Sequence, residues 1–400
     1  MSELDHVYFE GTLVSLPNNL FHNCHNLKTI KLPKGIMRIM TSCFENCESL
    51  EQIELPSTLK HLAERVFYNC YSLVEVEGLE DTHIYFIAKE VFYNCIKLTS
   101  IGLPDTINCI YPYSFYNCKS LELINIPHNT NYIGASSFTN CYKLINVIDL
   151  EESKINVINQ FVFKNCVSLS SVKLPDKVKI IKESAFKNCK SLSELILPLK
   201  ITEIERNAFS HCESLNEIRI PHKVYSLNPG VFSCCYNLET VIIDCDIDII
   251  PNDFFRNCKS LTKIKMRNRI KRVGVGSFNG CQNLRYNFYG LIEINSSSFK
   301  ECRNIKEVSL TKTIIEIPAY AFEGCNNLKR VSFAKIEKVG IKAFRNCNNL
   351  KSFPFGKIEY KEGEISIEQY AFENCSKLSN LPSIDDPSIV NNAFDGCIQD

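Results

Sequence analysis

Several things are missing from this chain, and each absence closes a class of function. No run of about 18 apolar residues occurs, so no segment reads as a membrane span. Neither sign of charge is in excess: 45 basic residues balance 45 acidic ones, which argues against a chain built as a whole for nucleic acid or acidic lipid. The opening MSELDHVYFEGTLVSLP lacks the basic start and apolar core of a secretory leader. The closing NNAFDGCIQD is neither a prenylation box nor a lipid-anchor signal. A cytoplasmic setting is the expectation from these termini, with unconventional export to the cell surface as its alternative. No C-x-x-C, no G-x-S-x-G and no Ser/His/Asp grouping stands outside the repeat described next, and the eight histidines are scattered. No catalytic residue, metal ligand or cofactor site is therefore expected, and no small-molecule substrate.

What is abundant is cysteine, 21 residues in all, and most of it belongs to one recurring word. CFENCESLEQIELP (43–56) is followed by VFYNCYSLVEVEGL (66–79), VFYNCIKLTSIGLP (91–104) and SFYNCKSLELINIP (114–127). Anchored on its second cysteine, the word recurs seventeen times from Cys24 to Cys397, most often 23 residues apart. Phe stands three residues before every anchor, from Phe21 to Phe394. Leu, Ile or Val stands eight before, and Leu or Ile three after in the first sixteen copies. Asn precedes the anchor in eleven copies, which reads as a ladder bonding turn backbone.

One such unit has no second layer to bury its apolar face against, whereas stacked units do. Apolar residues at 0, +4, +5, +8 and +11 (Ile39, Cys43, Phe44, Cys47, Leu50) predict one face of a short helix. LEQIELP then alternates Leu50, Ile53 and Leu55 inward with Gln52 and Glu54 outward, a short strand ended by proline. A second short strand is expected in TLKHL (58–62). Cys47 and Cys43 read as small buried apolar residues. The pattern I-x-x-x-A-F-x-N-C-x-x-L-x-x-I-x-L-P resembles the BspA-like class of leucine-rich repeat over residues 10–397. That resemblance implies a repeat solenoid, a curved leucine-rich-repeat rod of about 80 Å at the strand spacing. Parallel strands would line its concave face, with short helices or turns elsewhere. Residues 1–400 are expected to form one domain of about 17 units. Its irregularities would be an N-terminal cap at 1–12, units 282–302 and 348–375, and a truncated last unit at 376–400. Unit 348–375 carries an insert at 356–366, and in the shortened unit the aromatics Tyr286, Phe288 and Tyr289 would be exposed. A last unit without its strand would leave an edge open to an end-to-end homodimer.

Motifs suggestive of chemistry dissolve in the repeat register. GVGSFNG (274–280) has the wrong spacing for a dinucleotide loop, and Gly274 aligns with Gly134 and Gly340, seven before their anchors. HNCH (22–25) lacks a second ligand pair. The basic run KSLTKIKMRNRIKR (259–272) is in register with acids one unit earlier. Asp244, Asp246 and Asp248 precede Arg267, Arg269 and Lys271 by 23 residues each, which predicts an ion-pair ladder rather than a nucleic-acid site. KRVSF (329–333) resembles the docking motif for the catalytic subunit of protein phosphatase 1. Arg330 supplies the basic residue and Val331 and Phe333 the apolar pair, but the register turns both apolar residues inward. Twenty-one cysteines without a leader suggest a reducing compartment.

Outward strand positions fall five and seven residues after each anchor. They carry Glu54, Glu75 and Glu77, then Leu123, Ile148, Lys173, Ile196, Arg219 and Ile242, then Lys263 and Lys265. Aliphatics on a solvent face are the informative deviation. The reading is a non-enzymatic scaffold for a protein partner on the concave face, such as a phosphatase-1 regulator. The resemblance implies an alternative, a surface adhesin for host or matrix proteins.

Overall fold

The computed structural model describes residues 7, 9, 13–359, 366–383 and 386–397. Most of the expected cap at 1–12, and residues 360–365 of the expected insert, lie outside the described residues. Two compact units divide the chain, Met1–Glu213 and Ser214–Asp400. Each is a β-solenoid whose coils pair in parallel.

In the first unit one row of strands includes Gln52–Glu54 and Glu75–Glu77, paired Gln52 with Glu75 and Ile53 with Val76. Leu123–Asn125 pairs likewise with Asn146–Ile148, and Ser171–Lys173 with Glu194–Ile196. The alternation dictates this: Ile53 and Val76 are buried while their neighbours are exposed. A second row of two-residue strands includes Arg38–Ile39 beside His61–Leu62, and Val157–Ile158 beside Ile180–Ile181. The second unit repeats both rows, with Glu217–Ile220, Thr240–Ile243 and Lys263–Met266 in one and Ile249–Ile250, Arg272–Val273 and Glu293–Ile294 in the other.

The short helix expected over residues 39–50 does not form. Among the described residues the only helical segments are single 3-10 turns at Leu150–Glu152 and Phe355–Lys357. The Phe-Asn-Cys segment is a run of turns in which amides alternate between two destinations. The amides of Glu45, Cys47 and Leu50 donate locally to Ser42, Phe44 and Cys47 at 3.1–3.2 Å. Those of Ser42, Phe44 and Asn46 donate to the next coil, to Glu64, Val66 and Tyr68, at 3.0, 3.0 and 2.8 Å. An α-helix would keep all of these bonds inside one segment. Here every second N–H points along the repeat axis, where a neighbouring coil always offers a carbonyl.

That geometry needs left-handed backbone. The residue before the anchor has positive φ in every copy, from Asn23 (62°) and Asn46 (60°) to Gly396 (73°). Asparagine and glycine tolerate this region best. The asparagines bond one another rather than turn backbone as expected. Asn46 donates to the Asn23 side chain at 2.7 Å, Asn69 to Asn46 at 2.9 Å and Asn117 to Asn94 at 2.7 Å. The phenylalanines stack as a spine: Phe115 to Phe138 at 5.3 Å and 3°, Phe163 to Phe186 at 5.4 Å and 21°, Phe299 to Phe322 at 5.4 Å and 4°.

The shortened unit corrects one expectation. Phe288 is fully buried, while Tyr289 is exposed. Register shifts between Phe288 and Leu291 as this strand pairs with Glu307–Leu310, and Gly290 (φ 73°) lies in the irregularity. The shift absorbs the missing residues and returns Phe288 to the core.

Two stability outcomes follow from the spine and the ladder. Phe186→Ala is expected to cost about 3–5 kcal/mol in denaturant unfolding, against under about 0.5 kcal/mol for Lys187→Ala. Asn117→Ala should cost about 1–2 kcal/mol more than Asn117→Gly, because only alanine meets the left-handed penalty. Equal effects of the two Asn117 variants would remove backbone conformation as the reason for asparagine here.

Candidate partner-binding face

The cysteines are core. Anchor thiols donate across the coil boundary, as Cys47 to the Phe21 carbonyl and Cys70 to that of Phe44, both at 3.2 Å. All are free, and all but Cys109 and Cys397, which are half-buried, are buried. Burial pushes the Cys43 thiol up to about 12 and raises Cys70, Cys95 and Cys166 well above the ordinary range. Thiolate is the reactive form, so these groups are chemically silent while the coil is folded. Cys397 differs, its thiol lowered chiefly by the hydrogen bond with Cys375.

The other motifs are structural as well. A Cβ on Gly274 would fall 2.4 Å from Asn252 Oδ1 and 2.7 Å from its backbone nitrogen. Glycine is needed there for the close approach of coils, not for a phosphate. In HNCH, Cys24 is buried and His25 Nδ1 lies 3.5 Å from Glu48. Among the described residues no three metal-ligating side chains are grouped. Val331 and Phe333 are each 3% exposed, and the backbone of Arg330–Ser332 is paired with Glu307–Ser309. Of the motif, Lys329 and Arg330 present charged side chains to solvent.

The expected ion-pair ladder forms in one rung of three. Asp248 lies 3.8 Å from Lys271 and 2.6 Å from Arg272. Asp244 pairs instead with Arg219 at 2.5 Å, and Asp246 accepts from Asn268 at 3.4 Å. Strand pairing stops at Ile243 and Met266, and the chain bends at residues 267–268. Across the bend the 244/267 and 246/269 columns come apart, and the register resumes where Ile249 pairs with Arg272.

The strand face of the first unit has two parts. Glu54, Glu75, Glu77, Glu80 and Asp81 line a hollow of about 430 Å³ with no basic residue among its walls. Farther along the coils, Leu123 (45% exposed), Ile148 (43%) and Ile196 (85%) face solvent. Lys173 stands in register with Ile196, its Nζ 3.7 Å from Glu151. Ile145 and Leu199 are also exposed, two aliphatics that the five-and-seven rule missed because they lie outside the alternating positions. In the second unit Arg219, Ile242 and Lys265 share one row, as do Thr240 and Lys263. Ile242 is half-buried, with a cation in register on either side.

An aromatic row on the second strand face of the first unit also escaped the sequence reading. Phe86 packs edge-on to Tyr111 at 5.7 Å, and Tyr111 lies 6.2 Å from Tyr132. The exposed Tyr85 flanks them. The signal was present nine residues before the anchors, where Phe86, Cys109 and Tyr132 share one strand column.

The family model described as BspA type leucine rich repeat region, six copies, matches residues 1–85, 80–192, 156–285 and 287–399. No curated protein matches the sequence. Among solved structures, a leucine-rich repeat protein from Bacteroides ovatus is 23% identical over 89% of both chains, with a TM-score of 0.59. A leucine rich cell surface protein from Faecalibacterium prausnitzii is 20% identical over 82% of this chain and 87% of its own, with a TM-score of 0.45. The likeness to the Bacteroides ovatus structure is one of fold, and the matching family is a repeat region rather than a catalytic one. No helix of the described residues is long and apolar enough to cross a membrane.

Thiol accessibility tests this assignment of roles. At about pH 8 an alkylating reagent should modify Cys109 and Cys397 of the folded chain and leave Cys141 intact until denaturant is added. Rapid labelling of Cys141 in the native protein would contradict a sealed cysteine ladder.

Proposed function

The chain belongs to the BspA-type leucine-rich repeat family, and from that premise we propose a non-enzymatic module that binds a protein partner on its strand face. The observation that carries this reading is Ile196. It is 85% exposed on a strand whose next residue inward, Leu195, is 7% exposed. One exposed aliphatic is ordinary on a protein surface, and it is the grouping of several on one strand face that supports a contact surface. Together with Leu123, Ile148 and Leu199 it offers an apolar centre, and the charged residues along the same face supply orientation and discrimination.

The partner reading does not run through KRVSF, whose apolar pair is buried. A phosphatase would have to be engaged by the open strand face. The second reading, a surface adhesin for a host or matrix protein, draws on the family, whose BspA-like members include adhesins. Nor does the cysteine content weigh against it, since thiols buried in the coils do not report their compartment.

The test is retention of partners by the immobilised native chain and by an Ile148→Ser/Ile196→Ser variant, offered cell lysate and, separately, matrix proteins. A partner held by the native chain should be bound at least about tenfold more weakly by the variant. Undiminished binding would remove the strand face from the mechanism, and the identity of the partner separates the two settings.

A further inference from the structure

The chain is neutral overall, with 45 charges of each sign, yet its strand faces are not neutral. In the first unit, Glu54 stands in register with Glu77, and Gln52 with Glu75. Like charges directly opposite across a strand pair are unfavourable. Glu80 and Asp81 extend the same acidic hollow. Lys31 and Lys34 line the adjoining hollow with Glu54 and Asp81, but form no ion pair with either. In the second unit, Lys263 and Lys265 project from one strand, with Arg267 and Arg269 following and all four exposed. Arg285 and Lys306 line a hollow with Asn287 and Asn304. None of these six cations makes an ion pair among the described residues, although Lys271 and Arg272 nearby both pair with Asp248.

We propose that the acidic strand face of the first unit docks on the basic strand face of the second unit in another copy of this chain. Both faces are built on the same lattice. Successive coils are about 4.8 Å apart, and alternate side chains along a strand about 6.6 Å apart. A grid of carboxylates and a grid of ammonium and guanidinium groups with the same spacing can meet charge to charge, which offsets the repulsion each face carries alone. A second copy supplies both signs at once, which an acidic polymer or a basic peptide does not. Glu54, Glu75, Glu77, Lys263 and Lys265 lie apart in sequence from Leu123, Ile148 and Ile196, so this pairing does not rest on the apolar residues invoked for a partner protein.

The experiment is sedimentation of the full chain over a range of concentrations in low salt and in 1 M salt, where the screening length falls to about 3 Å. The native chain should form a species of at least about twice the single-chain mass in low salt and dissociate in high salt. A Glu54→Lys/Glu75→Lys/Glu77→Lys variant and a Lys263→Glu/Lys265→Glu variant should each remain single chains. Mixed in equal amounts they should associate again, because the pair restores both oppositely charged contacts; that recovery also excludes misfolding as the cause of the loss. A native chain that stays single at every concentration in low salt overturns the proposal. So do variants that still associate alone, or a mixture that does not recover. Binding of heparin or an oligonucleotide through Lys263 and Lys265, without self-association, would likewise overturn it and give the basic face to an external polyanion.

Discussion

Within each unit everything depends on a coil returning to register one strand spacing from its neighbour. The Phe-Asn-Cys segment enforces this with three contacts that all run along the repeat axis. Alternate backbone amides cross to the next coil, as Phe44 to Val66 and Asn46 to Tyr68. The anchor thiol donates to a phenylalanine carbonyl one coil back. Aromatic rings stack at a little over the strand spacing, 5.7 Å for Phe44 and Phe67. None of these contacts exists in a lone coil, so stability belongs to the stack rather than to the segment. Asparagine and glycine before the anchor make the arrangement affordable by accepting left-handed backbone.

This construction leaves the chain's most reactive chemistry out of reach. The buried thiols, the phenylalanine spine and the KRVSF pair are committed to packing, with Cys109 and Cys397 half-buried. What varies from coil to coil is the set of side chains that the strands turn outward, while the inward set hardly changes. Acidic, apolar and basic stretches of strand face thus sit on one unvarying frame. The cysteine count loses its meaning as a redox marker for the same reason, because a ladder thiol is shielded by its coil in any compartment.

Much of this was legible in the residues. Strand alternation around Ile53, Ile124 and Val172 follows directly from period-two burial, and the phenylalanine spine from invariant spacing. The segment 39–50 is not legible as turns from its residues, because apolar residues at 0, +4, +5, +8 and +11 suit either a helix or a run of turns. Periodicity reports which side chains go inside, not where the amides go. The asparagine ladder is hidden in the residues because side-chain partners 23 residues away meet only once the coils are stacked. The aspartate and arginine columns after Met266 failed where strand pairing ends. On the strands, Ile196 of the first unit and Ile242 of the second occupy equivalent sequence positions yet differ in exposure, because neighbours in register decide how far each is covered.

The most direct test of the account is amide hydrogen exchange across the turn segment of one coil, residue by residue. Phe115 and Asn117 donate to Ser137 and Thr139 of the next coil at 2.9 and 2.8 Å. Stack-borne stability predicts that these two amides exchange as slowly as the strand amide of Ile124, opening only with the unit as a whole. Fast exchange at Phe115 and Asn117 beside a slow Ile124 would mean that the turns are held locally, and would contradict the claim that axial contacts hold the fold.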